Sequence, residues 1–386
     1  MYKMDTKNYA ATIRNCYGKK VPLFVYGGPG IGKSEIPRQV FKDIVKEMNA
    51  GPRSKNPLKY IEWTSCSLVD KKEIILNPDK YFVFCDQRVG QMDSTDLRGI
   101  PNLIDKDMLE TIPMSWVVYF TQKNAHGAIF FDELNLAAPT VAGQAYQIIN
   151  ERAVSDRNLG EDVFVFGAGN RPGIDQAHTF DMPFPLRDRF CEFEVEPNVT
   201  EWTKWATGHV NSHLVAFVNW KESYLYNVDK NSANKSSTPR GIVRASRLIG
   251  EDDVTSNEVF ASVSISCGEG FAIQFKAYCK HFQSLNWDSI FKNPASIEKF
   301  ETDKLWACIG GLAEQYNKFE KTYKSKKEIQ KRFDEITQII LYMRADFAIV
   351  GLRLMKDGDV KKFSTLIRNC AHIDEVSARY QQYIVN

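Results

Sequence analysis

Val21 to Tyr26 is a short apolar, β-rich run that ends in a glycine cluster, Gly27-Gly28-Pro29-Gly30-Ile31-Gly32, followed directly by Lys33-Ser34. Beyond it Ile36, Val40, Ile44, Val45 and Met48 recur at helical spacing, and Pro37 falls in the first turn, where backbone N–H groups lack intrahelical partners anyway. Strand, loop and helix in this order confine the segment to the start of an α/β sheet. Gly27 to Ser34 also satisfies GxxxxGKS in the context that pattern requires. Its glycines let backbone N–H groups turn inward around phosphate oxygens, and the helix N-terminus adds partial positive charge. In that pattern Lys33 reaches the β- and γ-phosphates of ATP and Ser34 ligates Mg²⁺. The bland alternative is a glycine-rich turn with a chance lysine, and the flanking strand and helix argue against it.

Further strands are expected at Tyr60 to Thr64, Ala128 to Phe131 and Val163 to Phe166, the last two separated by a helix from Pro139 to Arg152. Strands alternating with helices predict a doubly wound parallel α/β sheet. After Pro197 the apolar residues Trp202, Trp205, Ala206, Leu214, Phe217 and Val218 fall at helical intervals, so the remainder is expected to be all-helical. Asn227 to Thr238 reads as a polar connector, with a second boundary between Asn286 and Pro294. Three regions follow: an α/β nucleotide-binding domain over 1–197, a helical domain over 198–285 and a helical C-terminal region over 286–386.

A phosphate loop alone leaves kinases, GTPases and motors open. The strand Ala128-Ile129-Phe130-Phe131 narrows the choice because it ends in Asp132-Glu133. Asp132 suits Mg²⁺, commonly through water, while Glu133 suits orientation and deprotonation of an attacking water, a role worth about 10²–10⁴-fold in rate. The alternative is an exposed acidic pair that caps the next helix. The strand from Val163 leads through Gly167-Ala168-Gly169 to Asn170, placed to hydrogen-bond the water or the γ-phosphate.

This run resembles the AAA+ superfamily and, within it, the MoxR-like group, whose second motif and following helix read FLDEINRAPP…LLEAMEER where this chain has FFDELNLAAPTVAGQAYQIINER. The resemblance implies an AAA+ core with a helical lid, and covers roughly residues 1 to 285. It continues at Asn170-Arg171-Pro172, which gives Asn170 the sensor 1 role, and at Asp188-Arg189-Phe190, which makes Arg189 the arginine finger facing a neighbouring subunit's nucleotide. Arg187 is a competing candidate. Ser237-Thr238-Pro239-Arg240 resembles the start of the lid helix and implies that Arg240, as sensor 2, touches the γ-phosphate; Arg244 and Arg247 share that helix, and a solvated arginine is the alternative. Asp93 to Pro101 resembles a DLxGxP segment near the central face of a ring, or is a purely structural turn. The resemblance further implies a homo-oligomeric ring, a hexamer, that acts as a chaperone-like remodeller of a protein partner, such as one with a von Willebrand A-type domain.

A net charge of +2 gives no global field for steering onto nucleic acid or an anionic membrane. Eight scattered cysteines show no zinc-site spacing, and no apolar run approaches a signal core or a membrane span, so a cytoplasmic protein with reduced thiols is expected. His209 and His213 share a helix face but lack the metalloprotease glutamate, and read as solvated or packing residues. Lys318 to Arg332 is a basic run with Phe319 and Tyr323 interleaved, the sole support for a nucleic-acid motor or loader. Ile336 to Leu354 is apolar almost all round and suits a helical core or a subunit interface. A non-catalytic, nucleotide-gated scaffold is the other rival, and Glu133 speaks against it.

Overall fold

The computed structural model describes residues 1–386 apart from 52–56, 106–107, 176–178, 181, 183, 229–235, 251–252, 255, 324 and 385–386. The chain divides into two units, Met1–Glu196 and Pro197–Asn386. In the first, the described residues form a seven-stranded sheet of β1 (Lys3–Met4), β2 (Leu23–Tyr26), β3 (Lys59–Glu62), β4 (Tyr81–Arg88), β5 (His126–Asp132), β6 (Val163–Gly169) and β7 (Cys191–Val195). The strands lie in the order β1-β7-β2-β6-β5-β4-β3, every neighbouring pair parallel. This is the expected α/β class, a parallel sheet followed by a long helical region.

Alternation along the strands divides the side chains between two faces. One face carries Phe82 and Phe84 of β4, Phe130 of β5 and Phe164 and Phe166 of β6, and they pack around Phe41 of α2 (Glu35–Ala50) and Tyr17 of α1 (Thr6–Lys19). The other face carries Phe24, Tyr26, Val83, Cys85, Ile129, Phe131 and Val165, covered by α3 (Pro139–Glu151) and by the helix Ser115–Phe120. The same period carries the α2-side rows past the aromatics to Asp86 on β4, Asp132 on β5 and, beyond Ala168, to Asn170 after β6. An apolar core thus gives way to polar groups along the C-terminal rim, which is where the loop after β2 arrives.

Several details differ from the sequence expectations. β4, which pairs with both β3 and β5, was not among the expected strands. The strand expected over Tyr60 to Thr64 stops at Glu62, and Trp63–Ser65 forms a 3₁₀ turn. Asp93 to Pro101 is more than a loop: Ser94–Arg98 is a helical turn, Gly99 has φ 94°, and the chain then enters a hairpin of Ile100–Asp105 against Met108–Ile112. That hairpin leaves Ile100, Leu103, Ile104, Leu109 and Ile112 exposed.

Among the described residues the second unit is helical throughout, apart from an isolated bridge between Asn227 and Ser237. One hydrophobic cluster runs from Trp202 to Tyr380, so the boundary expected between Asn286 and Pro294 falls inside continuous packing. The apolar stretch from Ile336 belongs to two helices, Lys326–Leu341 and Ala345–Gly358, whose Ile336, Ile340, Phe347 and Leu352 are buried in that cluster. No described helix is long and apolar enough to cross a membrane, and all eight cysteines are free thiols.

Candidate active site

The phosphate loop is held by close approach as much as by φ. A Cβ on Gly27 would stand 2.4 Å from the Ile31 Cδ1 and 3.2 Å from the Val195 carbonyl oxygen, so Ile31 would have to move aside, and Gly32, at φ 103°, would be strained by any side chain. Gly27 N–H donates to the Gly169 carbonyl (3.2 Å), which fastens the loop to the end of β6. The buried hydroxyl of Tyr9, from α1, donates to the Lys33 carbonyl (2.9 Å) and props the loop from below. Glu35 opens α2 immediately after Ser34, so the orphan N–H groups of the first turn lie beside the loop.

Four of the sequence-predicted residues meet here. Lys33 is buried, and its ammonium donates to the carbonyls of Gly27 (2.6 Å) and Gly28 (3.0 Å) and to Asn170 Oδ1 (3.1 Å). The Ser34 hydroxyl donates to Asp132 Oδ2 (2.5 Å). Asn170 is itself clamped: its N–H donates to Asn135 Oδ1 (2.9 Å) while Asn135 Nδ2 donates to the Asn170 carbonyl (2.7 Å). A Cβ on Gly169 would stand 2.5 Å from Asn135 Oδ1, so the clamp needs glycine there.

Glu133 adopts φ 56°, ψ 31°, the left-handed region, which costs a non-glycine residue about 1–3 kcal/mol and concentrates at functional sites. Its N–H donates to Asp132 Oδ1 (2.9 Å), and its half-buried carboxylate has no hydrogen bond or ion pair among the described residues.

The two finger candidates separate. Arg187 grips Glu192, its Nε 3.1 Å from each carboxylate oxygen, whereas Arg189 is exposed and without an ion pair among the described residues. Phe190 anchors the segment by packing on Phe24 and Tyr146. Arg171, the middle residue of Asn-Arg-Pro, is taken up by Asp175 and Glu194. Arg240 lies in the second unit, exposed on the first turn of α4 (Pro239–Ile249), a helix capped by the Thr238 hydroxyl accepting from Gly241 N–H (3.1 Å).

Sequence reading missed Tyr9, Asn135 and a buried pair beside the loop. Asp86 is 7% exposed and bonds Arg38, which also meets Glu62 (3.5 Å). Burial pushes Asp86 up to about 6, with the charge of Asp132 acting in the same direction and Arg38 pulling against it.

Among the described residues no group of three or more His, Cys, Asp or Glu is placed to hold a metal ion. His209 stacks on Trp205, and His213 is fully buried with Nε2 2.9 Å from Glu314 Oε2, so both do packing work. In the basic run Phe319 is fully buried, Lys318 pairs with Glu314 (2.7 Å) and Arg332 lies over the Phe291 ring (3.4 Å to its centre).

No family model matches the sequence, and no curated protein does. Among solved structures the chain is similar to two mutants of Thermotoga maritima RuvB. One is 10% identical with a TM-score of 0.25, covering 86% of this chain and 83% of that one; the other is 14% identical with a TM-score of 0.28, covering 83% and 84%. It is also similar to NtrX from Brucella abortus in complex with ATP, at 10% identity and a TM-score of 0.31, over 86% of this chain and 68% of that one. Likenesses this loose carry no functional argument.

Proposed function

We propose that the chain is a ring-forming AAA+ ATPase of the MoxR-like kind that couples ATP hydrolysis to remodelling of a protein partner. The observation that carries this reading is that two hydrogen-bonded pairs meet at the phosphate loop, Lys33 with Asn170 and Ser34 with Asp132, and that the carboxylate of Glu133, unpartnered among the described residues, follows directly on Asp132. The loop N–H groups and Lys33 bind the β- and γ-phosphates of ATP. Ser34 and Asp132 would hold Mg²⁺: both are hard oxygen donors already in contact, and phosphate and water complete such a shell. Bound Mg²⁺ neutralises charge on the phosphate oxygens. Glu133 takes a proton from the water that attacks the γ-phosphorus, the bond from that phosphorus to the β–γ bridging oxygen breaks as ADP leaves, and Asn170 orients the water.

Arg187 is committed to Glu192 within its own subunit, which leaves Arg189 to reach a neighbour's nucleotide as the arginine finger. A ring would complete the site, and the resemblance to the MoxR-like group supplies both its six subunits and the sensor 2 role for Arg240. A protein partner, such as one carrying a von Willebrand A-type domain, fits better than nucleic acid, because the buried Phe319 offers no face for a base to stack on.

The test is phosphate release measured alongside the mass of the ATP-bound assembly, for wild type and Glu133→Gln. Turnover by a wild-type ring and a stable, inactive mutant ring are the expected results. Wild-type ATP binding without hydrolysis in every assembly state would leave a nucleotide switch in place of a motor.

A further inference from the structure

Ser34, Arg38, Asp86 and Asp132 close a circuit beside the phosphate loop. Ser34 and Arg38 stand one helical turn apart at the start of α2. Arg38 is ion-paired to Asp86. Asp86 of β4 pairs in register with Phe130 of β5, so Asp132 is its diagonal neighbour on the same face of the sheet, and Asp132 returns to Ser34 through the 2.5 Å hydrogen bond. Arg38 occupies Asp86 Oδ2; Asp86 Oδ1 is buried and has no hydrogen-bond partner among the described residues. A buried carboxylate oxygen with no donor, 5% exposed as a side chain and set among residues that would hold a cation, needs a donor the protein does not supply.

We propose that Asp86 is a positioning residue for the divalent cation, its free oxygen accepting a hydrogen bond from the hydration water of the ion that Ser34 and Asp132 hold. This rests on the nucleotide-site reading above. Mg²⁺ keeps several of its waters when bound, and partners of that second layer fix its place. Arg38 has a double part: it keeps the buried carboxylate charged and ties its position to the helix that carries Ser34.

The experiment uses the full chain with ADP and Mn²⁺ as probe. Mn²⁺ affinity in the ADP complex is read by electron paramagnetic resonance, and ADP affinity in EDTA by calorimetry. For Asp86→Asn we expect Mn²⁺ affinity to fall roughly ten- to a hundredfold, with an altered spectrum of the bound ion, while ADP affinity in EDTA stays at the wild-type value. Unchanged Mn²⁺ affinity in a folded Asp86→Asn protein overturns the proposal and leaves Asp86 as a staple between α2 and β4. If that variant does not fold, the double substitution Arg38→Gln/Asp86→Asn replaces the ion pair by an amide pair and is read in the same way. A wild-type chain that binds no ADP overturns the nucleotide-site reading, and this one with it.

Discussion

Two carboxylates, one buried on the sheet rim and one half-buried in the helical unit, are treated in opposite ways. Glu314 accepts from His213 and from Lys318 (2.7 Å), and these contacts, the His213 hydrogen bond foremost, hold it down to about 2. Asp86 on the rim has one cation for two oxygens and is pushed up to about 6, chiefly by burial. On the same rim Glu133 has a left-handed backbone and a carboxylate with no hydrogen bond or ion pair among the described residues. Surplus partners mark a carboxylate whose work is to hold helices together. A deficit marks carboxylates whose remaining partners arrive from outside the fold. The contrast is visible without knowing the ligand.

Arg189, toward the opposite edge of the sheet just before β7, likewise has no ion pair among the described residues, and the largest effect should come from there. Arg189→Ala should lower ATP turnover by about 10³–10⁵-fold, while Arg187→Ala, which breaks the pair with Glu192, should stay near wild type. Mixing Arg189→Ala with Lys33→Ala subunits should then restore some turnover, because each supplies what the other lacks; no recovery in verified mixed rings would place the finger elsewhere. Glu133→Gln should reduce turnover about 10²–10⁴-fold and leave the melting temperature close to wild type, since the carboxylate makes no contact to lose. A large loss of stability would break the contrast between rim and helical core. Asn135→Ala acts at one remove, by loosening the clamp on Asn170, and should lower turnover by up to about 10²-fold with ADP affinity preserved.

The smallest effect belongs to the helical unit and should be on stability alone. Glu314 sits below its ordinary value of 4.5, so its contribution is fully present above about pH 4.5 and is lost as pH falls toward 2. Glu314→Gln should therefore destabilise the protein by about 1.5–3 kcal/mol near neutral pH, and the difference from wild type in urea unfolding should shrink toward pH 2. A difference that persists in acid would show that packing around His213, and not charge, sets the cost.

What the sequence disclosed follows the range of the interactions involved. The phosphate loop and the Asp132-Glu133 strand end are local patterns, and both were legible as a loop between strand and helix and as the end of a strand. β4 was not, because a central strand covered on both faces lacks the alternation that marks a half-buried one: Tyr81 to Cys85 is a continuous apolar run. Tyr9, Asn135 and the Arg38–Asp86 pair were out of reach for a different reason. Each meets its partner only in the folded chain, Tyr9 reaching Lys33 from α1, Asn135 reaching Asn170 across neighbouring strand ends and Arg38 of α2 reaching Asp86 of β4, and no spacing in the chain encodes those meetings. Arg189 was the preferred finger and Arg187 its competitor, and no local pattern shows that Glu192, on β7, holds Arg187.

The left-handed backbone at Glu133 sets thermal robustness and turnover against each other at a single position. Glycine there would relieve the conformation at little steric cost and raise the melting point, and it would also remove the base. Directed evolution for heat resistance alone, with turnover left unscreened, should therefore enrich glycine at this position early. Its appearance would locate the catalytic carboxylate by the substitution that deletes it.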